Sequence, residues 1–512
     1  MRKRSGIPGR LDQGSMIRHG ALSCRIIRFR SGSRGFVIGL FCCLLIVANV
    51  SVYAGERQIP GKDRINGVGL LEDHSQALPR WARQGICNAV LINFDAHDDM
   101  RRVSPEKIEI LRSIARKKDW KSFETADSGG ENGLYHPGSF IHAACKLGII
   151  RRVYWVIPFS YFRDIDATDR LEGFLAAYGF PRKSIDSFVM HEGCYQGIYD
   201  GFPLSICGIE HLPRIEEPVI LSIDADFFPP FADWYDRDIL SALSVFFTRV
   251  AEQNYRIRDA VVSCSVNGGF LNVARRWIAD YCVEILEKPK FVSEPFRELW
   301  LVHGLADLYY RNDRTAAAID FTRRFRQRYP KDPCLMTYQA FALMASGDRE
   351  GAFDLARTAY RHDKRYAFAL ADLGQCLIDR GDLDEALEFF RAAYEAYPPM
   401  NFRQKNLADA LMGAGRYREA LHYYDIYRQR NGSFPAVFLM GKATMKLGEE
   451  GSAGNWFEQG VSCLKDERYV SIDCEIDASA LREAVNFFER KNMHGKARII
   501  VSHPSLKNIF EP

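Results

Sequence analysis

The sequence predicts an α/β domain on a mainly parallel sheet, followed by an all-α solenoid of repeated helix pairs. Three observations carry this reading. Apolar, strand-like runs at 88–94, 151–158, 218–224 and 259–265 alternate with helix-like segments at about 76–84, 105–118, 138–147, 166–178 and 235–252. That alternation is the βα rhythm of a sheet covered on both faces. Two of the runs end in clusters of carboxylates and imidazoles, at the carboxyl ends of strands where such sheets place their active sites. Beyond residue 297 small and aromatic residues recur at a fixed spacing, with Ala318, Ala352, Ala386 and Ala420 each 34 apart, the mark of a helical solenoid.

The first ligand-bearing strand is Asn88–Phe94, followed by Asp95-Ala96-His97-Asp98-Asp99. Strand side chains alternate, so Asp95, His97 and Asp99 share one side if the extended geometry persists. Two carboxylates and an imidazole suit a divalent cation of intermediate hardness: Mn²⁺, Fe²⁺, Co²⁺ or Zn²⁺. The second strand, Pro218–Ser222, runs on into Asp224-Ala225-Asp226. Upstream, Glu72-Asp73-His74-Ser75 adds His74. Carboxylates clustered in this way repel and raise each other's pKa unless a cation joins them. One ion needs about three or four protein ligands. The six candidates His74, Asp95, His97, Asp99, Asp224 and Asp226 therefore suggest two ions sharing and activating a water.

These three segments, in this order, resemble the arginase/deacetylase superfamily, whose pattern is a G-G-D-H-S-like segment, then D-A-H-x-D, then S-x-D-x-D. The wording around them is similar to a little-characterised arginase-like branch that includes peptide arginases. The resemblance spans residues 62–290 and implies a three-layer fold with a two-metal Mn²⁺ site. In it His74, Asp95, Asp99 and Asp224 would hold one ion. Asp95, His97, Asp224 and Asp226 would hold the other, with Asp95 and Asp224 bridging. The departures bear on substrate. Glu72 replaces the second glycine of the first motif, and Phe227-Phe228-Pro229-Pro230 stands where Asp-Pro is usual. The strand 259–265 offers no acid where arginases hold the guanidinium group; Glu192, Glu210 and Glu216 are the alternatives. His136, in the glycine-rich loop 129–138, matches the loop in which arginases carry a proton-shuttling histidine. An imidazole with a neutral-range pKa suits that task. His142 falls on the following helix, and His191 and His211 have no motif context.

The solenoid units resemble tetratricopeptide repeats. Leu373-Gly374, Leu377, Gly381, Ala386, Phe390, Ala393 and Pro398 form one unit; Leu407-Ala408, Leu411, Gly415, Ala420, Tyr424 and Tyr427 form the next. About five units fit between 297 and 466. Residues 467–512 read as a helical cap and tail, with a helix over 478–491.

The net charge of +4 hides an asymmetry. Residues 1–34 carry nine Lys/Arg against Asp12, which leaves the remainder at −4 (60 basic against 64 acidic residues). Nothing in that remainder resembles a nucleic-acid-binding surface. The basic head precedes an uncharged apolar stretch, 35–54, that reads as a signal peptide or membrane anchor. The head would stay in the cytoplasm and the rest would be exported or membrane-associated. Thirteen cysteines show no C-x-x-C pair, and their spacing singles out no disulfide. The expected chemistry is metal-dependent hydrolysis of a guanidino or amide C–N bond on a peptide or protein docked by the solenoid. The alternative is a catalytically silent metal-binding domain on an interaction scaffold.

Overall fold

The computed structural model describes residues 67–127, 133–158, 171–173, 175–176, 180–288, 296–397, 403–431, 434–465, 477–503 and 506–510. The basic head, the apolar stretch at 35–54 and much of the segment 166–178 lie outside them. No helix among the described residues is long and apolar enough to cross a membrane.

An eight-stranded sheet runs in the order β1-β8-β7-β2-β3-β6-β5-β4. Its strands are β1 (Val68–Leu71), β2 (Ala89–Phe94), β3 (Ile150–Ile157), β4 (Val189–His191), β5 (Cys194–Tyr199), β6 (Phe202–Gly208), β7 (Val219–Asp224) and β8 (Ile257–Ser263). The run from β1 to β6 is parallel. Its central strands β2 and β7 are buried at every residue, which is why they read as unbroken apolar runs rather than alternating ones. Helices cover both faces, and each face has its own core. Val90, Ile92 and Phe94 pack into one, Ala89 and Leu91 into the other. The helix Pro105–Lys117 starts where Ser104 Oγ accepts from Lys107 N and Pro105 takes the first turn. It stops at Lys118, whose φ of 56° is left-handed.

The sheet is mainly parallel, as the sequence predicts, but it is mixed at one edge. The strands β4, β5 and β6 form two antiparallel hairpins at one edge. Their turns are the dipeptides Glu192-Gly193 and Asp200-Gly201, both with positive φ at both residues, the geometry that two-residue hairpins need. Asp-Gly between apolar alternations was the available signal. Cys194 and Cys207 stand directly opposite in register and form a disulfide; cross-strand register, which spacing alone does not reveal, brings them together.

Beyond residue 296 the described residues include these successive helix pairs: Glu298–Arg311 with Thr315–Arg328, Pro333–Ser346 with Arg349–His362, Phe368–Arg380 with Leu383–Ala396, Arg403–Gly413 with Tyr417–Asn431, and Phe434–Lys446 with Glu450–Lys465. The helix Ala478–Arg490 follows. Gly381 ends its helix at φ 87°, a conformation that costs glycine nothing. Gly374 lies where an added Cβ would meet the Phe390 ring at 3.2 Å, so its smallness lets the paired helices close.

The solenoid packs against the sheet domain. Its core is continuous with one face of the sheet domain. Trp277, on the sheet domain's last helix Trp277–Glu287, donates from Nε1 to Tyr338 Oη at 3.3 Å. Arg275 Nε donates to Asp307 Oδ1 at 2.7 Å, which also accepts from Tyr338.

Candidate metal centre

Four neighbouring strands deliver the site. The carboxyl ends of β1, β8, β7 and β2 lie side by side, with Leu71 opposite Ser263, Asp224 opposite Ser263, and Phe94 opposite Ile223. His74 follows β1, Asp95 follows β2, and Asp224 ends β7. All six candidate ligands fall into one contiguous set. His74 Nδ1 lies 3.0 Å from Asp95 Oδ2, 3.1 Å from Asp99 Oδ2 and 3.2 Å from Asp224 Oδ2. His97 Nδ1 lies 3.0 Å from Asp226 Oδ2 and 3.7 Å from Asp95 Oδ1. Two donor groups result, His74/Asp95/Asp99 and Asp95/His97/Asp226, each compact enough for one ion and sharing Asp95.

The route to this convergence differs from the strand alternation that the sequence suggests. The strand β2 ends at Phe94, before the first ligand. The candidate ligands sit on a turn in which His97 N donates to Asp95 Oδ1 at 2.8 Å. Asp99 adopts a φ of 52°, so a left-handed residue, not an extended one, brings its carboxylate back. On the other side Asp226 N donates to Asp224 Oδ1 at 3.0 Å, fixing both carboxylates at the start of a short 3₁₀ turn.

Outer contacts orient the ligands. His74 Nε2 lies 2.6 Å from Ser222 Oγ, and Ser265 Oγ donates to Asp224 Oδ2. Asn267 Nδ2 donates to Asp73 Oδ2 at 2.8 Å. Phe270, partly exposed, lies against the His97 ring at 4.5 Å and forms an apolar wall beside the most accessible ligand. Glu72, which replaces a glycine of the first motif, accepts both terminal nitrogens of the buried Arg276, at 2.7 and 2.5 Å. Arg365, from the solenoid, reaches the same carboxylate at 3.4 Å.

The electrostatics are those of a site short of positive charge. Burial disfavours charge on His74, but the carboxylates of Asp224, Asp95 and Asp99 outweigh it and raise the imidazole well above its usual value. Burial would raise Asp95 too, yet its bonds to His74 and His97 hold it well below the carboxylate range. Burial and the neighbouring Asp95 raise Asp99, and burial with Asp224 and Asp95 pushes Asp226 up to about 7. Asp226 Oδ1 is buried with no hydrogen-bond partner, and His74 Nδ1, though within 3.2 Å of three carboxylates, meets the geometry of a hydrogen bond with none of them. Unsatisfied polar atoms in a buried cluster of this composition fit divalent cations.

The other candidates separate. His136 lies near Arg101 and Lys107; burial and those cations push its pKa down to about 3, so it is neutral across the ordinary pH range, below the neutral-range value expected of a shuttle. It belongs to neither donor group. His142 accepts from Val103 N through Nδ1 and lies 2.9 Å from Asp200 Oδ2, a structural tie between the helix Phe140–Lys146 and a hairpin turn. His191, His211, Glu192 and Glu216 are exposed, and Glu210 accepts from Tyr235. The end of β8, where a guanidinium-binding acid would stand, carries Ser263, whose hydroxyl meets that of Ser265 just beyond it; Ser265 in turn donates to Asp224.

Residues 343–407 and 405–465 each match a tetratricopeptide-repeat family model. Such repeats form extended concave surfaces for peptide or protein partners. Among solved structures, the chain is similar to Pseudomonas aeruginosa PilF (17% identity, 40% of this chain and 89% of that one, TM-score 0.29). It is similar to MamA (15%, 32% and 89%, 0.27) and to YrrB, described as a repeat protein with an unusual peptide-binding site (18%, 36% and 91%, 0.27). At these scores the likenesses carry no argument. No curated protein matches the chain.

Proposed function

We propose that the sheet domain is an arginase-like, metal-dependent hydrolase of a C–N bond, guanidino or amide, in a peptide or protein held by the solenoid. The observation that supports it is the pair of donor groups sharing Asp95, with Asp226 Oδ1 buried and unpartnered and His74 Nδ1 facing three carboxylates. Divalent ions held there, Mn²⁺ first by resemblance, would bring the pKa of a shared water towards neutrality and so supply hydroxide. The chain's own residues do the rest. Ser222 and Ser265 fix His74 and Asp224, and the backbone of His97 and Asp226 fixes Asp95 and Asp224. Phe270 keeps one side of the mouth apolar. Export of this domain is part of the proposal; the Cys194–Cys207 disulfide supports it, because such bonds persist in oxidising compartments.

One observation favours the silent-scaffold reading. Ser263 and Ser265 occupy the end of β8, so the site offers no acid there to a guanidinium group. Asp224→Ala decides between the two. In the ligand sets that the resemblance implies it removes a bridging carboxylate from both ions, and in the structure it removes the carboxylate 3.2 Å from His74 Nδ1; the solenoid should stay folded. Metal-dependent hydrolysis of arginine-containing or acylated peptides should be lost while partner capture persists. If the wild-type chain, loaded with Mn²⁺, Co²⁺ or Zn²⁺, hydrolyses none of these and Asp224→Ala changes nothing measurable, the scaffold reading stands.

A further inference from the structure

A second cluster of ligand-type side chains lies away from the sheet edge, at the junction between the two domains. His303 comes from the solenoid's first helix; Asp332 and Cys334 open its third. One donor atom from each lies within 4.8 Å of the others. His303 and Cys334 are 3% and 2% exposed, so solvent does not satisfy them. Helix capping explains only part of the arrangement. Asp332 Oδ1 accepts from Leu335 N at 2.8 Å, as a cap should. Its Oδ2 is instead turned to His303 Nε2 at 3.1 Å, and His303 Nδ1 is buried with no hydrogen-bond partner. The Cys334 thiol points at the Ala274 carbonyl, 3.3 Å away, across the boundary with the sheet domain. Trp277 and Trp300 lie against the imidazole with ring centres 5.9 and 5.8 Å away, making the surroundings apolar.

We propose that His303, Asp332 and Cys334 bind a zinc ion that clasps the first repeats of the solenoid to the sheet domain. Thiolate, imidazole and carboxylate are the ligands zinc takes, and four-coordination is its rule at structural sites. The Ala274 oxygen, 3.3 Å from the Cys334 thiol, would be the fourth donor, contributed by the other domain. The thiolate selects zinc over Mn²⁺, which prefers oxygen ligands. Charge supports the choice as well: one thiolate and one carboxylate neutralise a divalent ion, and a neutral complex is what an apolar pocket tolerates. Binding releases the thiol proton to solvent. The inference is independent of the catalytic reading, since none of its residues touches the six sheet-edge ligands.

Cobalt substitution tests it. The purified full chain is stripped of metal, and refolding is checked by circular dichroism before Co²⁺ is added. A thiolate-to-cobalt charge-transfer band should appear in the near ultraviolet. The sheet-edge ligands contain no sulfur and cannot produce it. The band should persist in Asp224→Ala and vanish in Cys334→Ser, and the zinc that copurifies with the wild type should be missing from Cys334→Ser. Should that variant fail to fold, His303→Gln keeps the thiol and must still weaken or abolish the band. A folded wild-type chain that shows no band overturns the proposal. So does a band that survives Cys334→Ser, or one that is unchanged in folded His303→Gln.

Discussion

Removing metal should make the protein less stable as the pH rises, and restoring metal should cancel that trend. The sign follows from the folded-state pKa values. Burial and the Asp224 and Asp95 carboxylates push Asp226 from 3.8 to about 7. Burial lifts Asp73 and Asp98 to about 6 and Asp127 to about 7. A group raised on folding contributes stability that is fully present below its unfolded pKa and is lost as the pH climbs through its folded one. His74, also raised, acts in the same direction. Asp95, held low, acts the opposite way, but only as the pH falls below its unfolded value of about 4. For Asp226 the rise from 3.8 to about 7 is worth roughly 4 kcal/mol in all. About 3 kcal/mol of that falls between about pH 5 and pH 8. In a domain of some 150–250 residues this is a fall in Tm of about 6–12 °C. A divalent ion at about one hundred times its Kd returns about 2.7 kcal/mol per site. It returns less at the acid end, where protons compete for the ligands. The assay is calorimetry of chelator-treated and Mn²⁺-reloaded protein at both pH values, with Asp226→Asn as the control that should remove its own share of the slope and leave the share of Asp73, Asp98 and Asp127. A metal-free Tm that is flat or rises towards alkaline pH, or a metal-induced rise equal at both pH values, would refute the electrostatic account of the site.

Three further outcomes are expected. Tyr424 is 1% exposed and its hydroxyl donates to Asp409 at 2.6 Å. Tyr424→Ala should cost about 3–5 kcal/mol, read by urea melting, and should weaken partner capture while metal content stays unchanged. Glu72→Gln strips the buried Arg276 of its charged partner. Because Glu72 is about one-third exposed, the cost should be only about 1–3 kcal/mol, below the figure for a fully buried pair; a change within error would show that the clamp is idle. A periplasmic or extracellular reporter fused after residue 60 should be active outside the cytoplasm, and cytoplasmic recovery of the full-length protein in soluble form would end the export reading.

The sheet centre was legible because β2 and β7 are buried on both faces, and a run such as Ala-Val-Leu-Ile-Asn-Phe has no other soluble home. Which side chains gather there was legible too, since carboxylates and imidazoles crowded at strand ends carry a charge problem visible in one dimension. How they converge was not. Asp99 depends on a left-handed turn, and Ser265 meets Asp224 only because β8 lies beside β7 in the sheet. The edge hairpins were missed because β4 and β5 are short and partly exposed, although Asp200-Gly201 marked one turn. The Glu72–Arg276 clamp joins residues 204 apart, and His303 with Cys334 has neither a motif nor a spacing to announce it.

The continuous core between sheet and solenoid sets how the two halves can cooperate. Domains joined by a flexible tether raise each other's local ligand concentration over a broad range of lengths, because the linker explores many separations. Here Trp277, Arg275 and Cys334 pin the first repeats against the sheet domain, and that averaging is absent. A segment seated in the groove would meet the sheet edge at one separation and one bearing. Under the proposed function the solenoid acts as a ruler: position along the bound chain, more than residue type, would decide which bond is presented for cleavage. Moving the same scissile residue a few places along an otherwise identical peptide should therefore alter turnover sharply while leaving capture by the repeats unchanged.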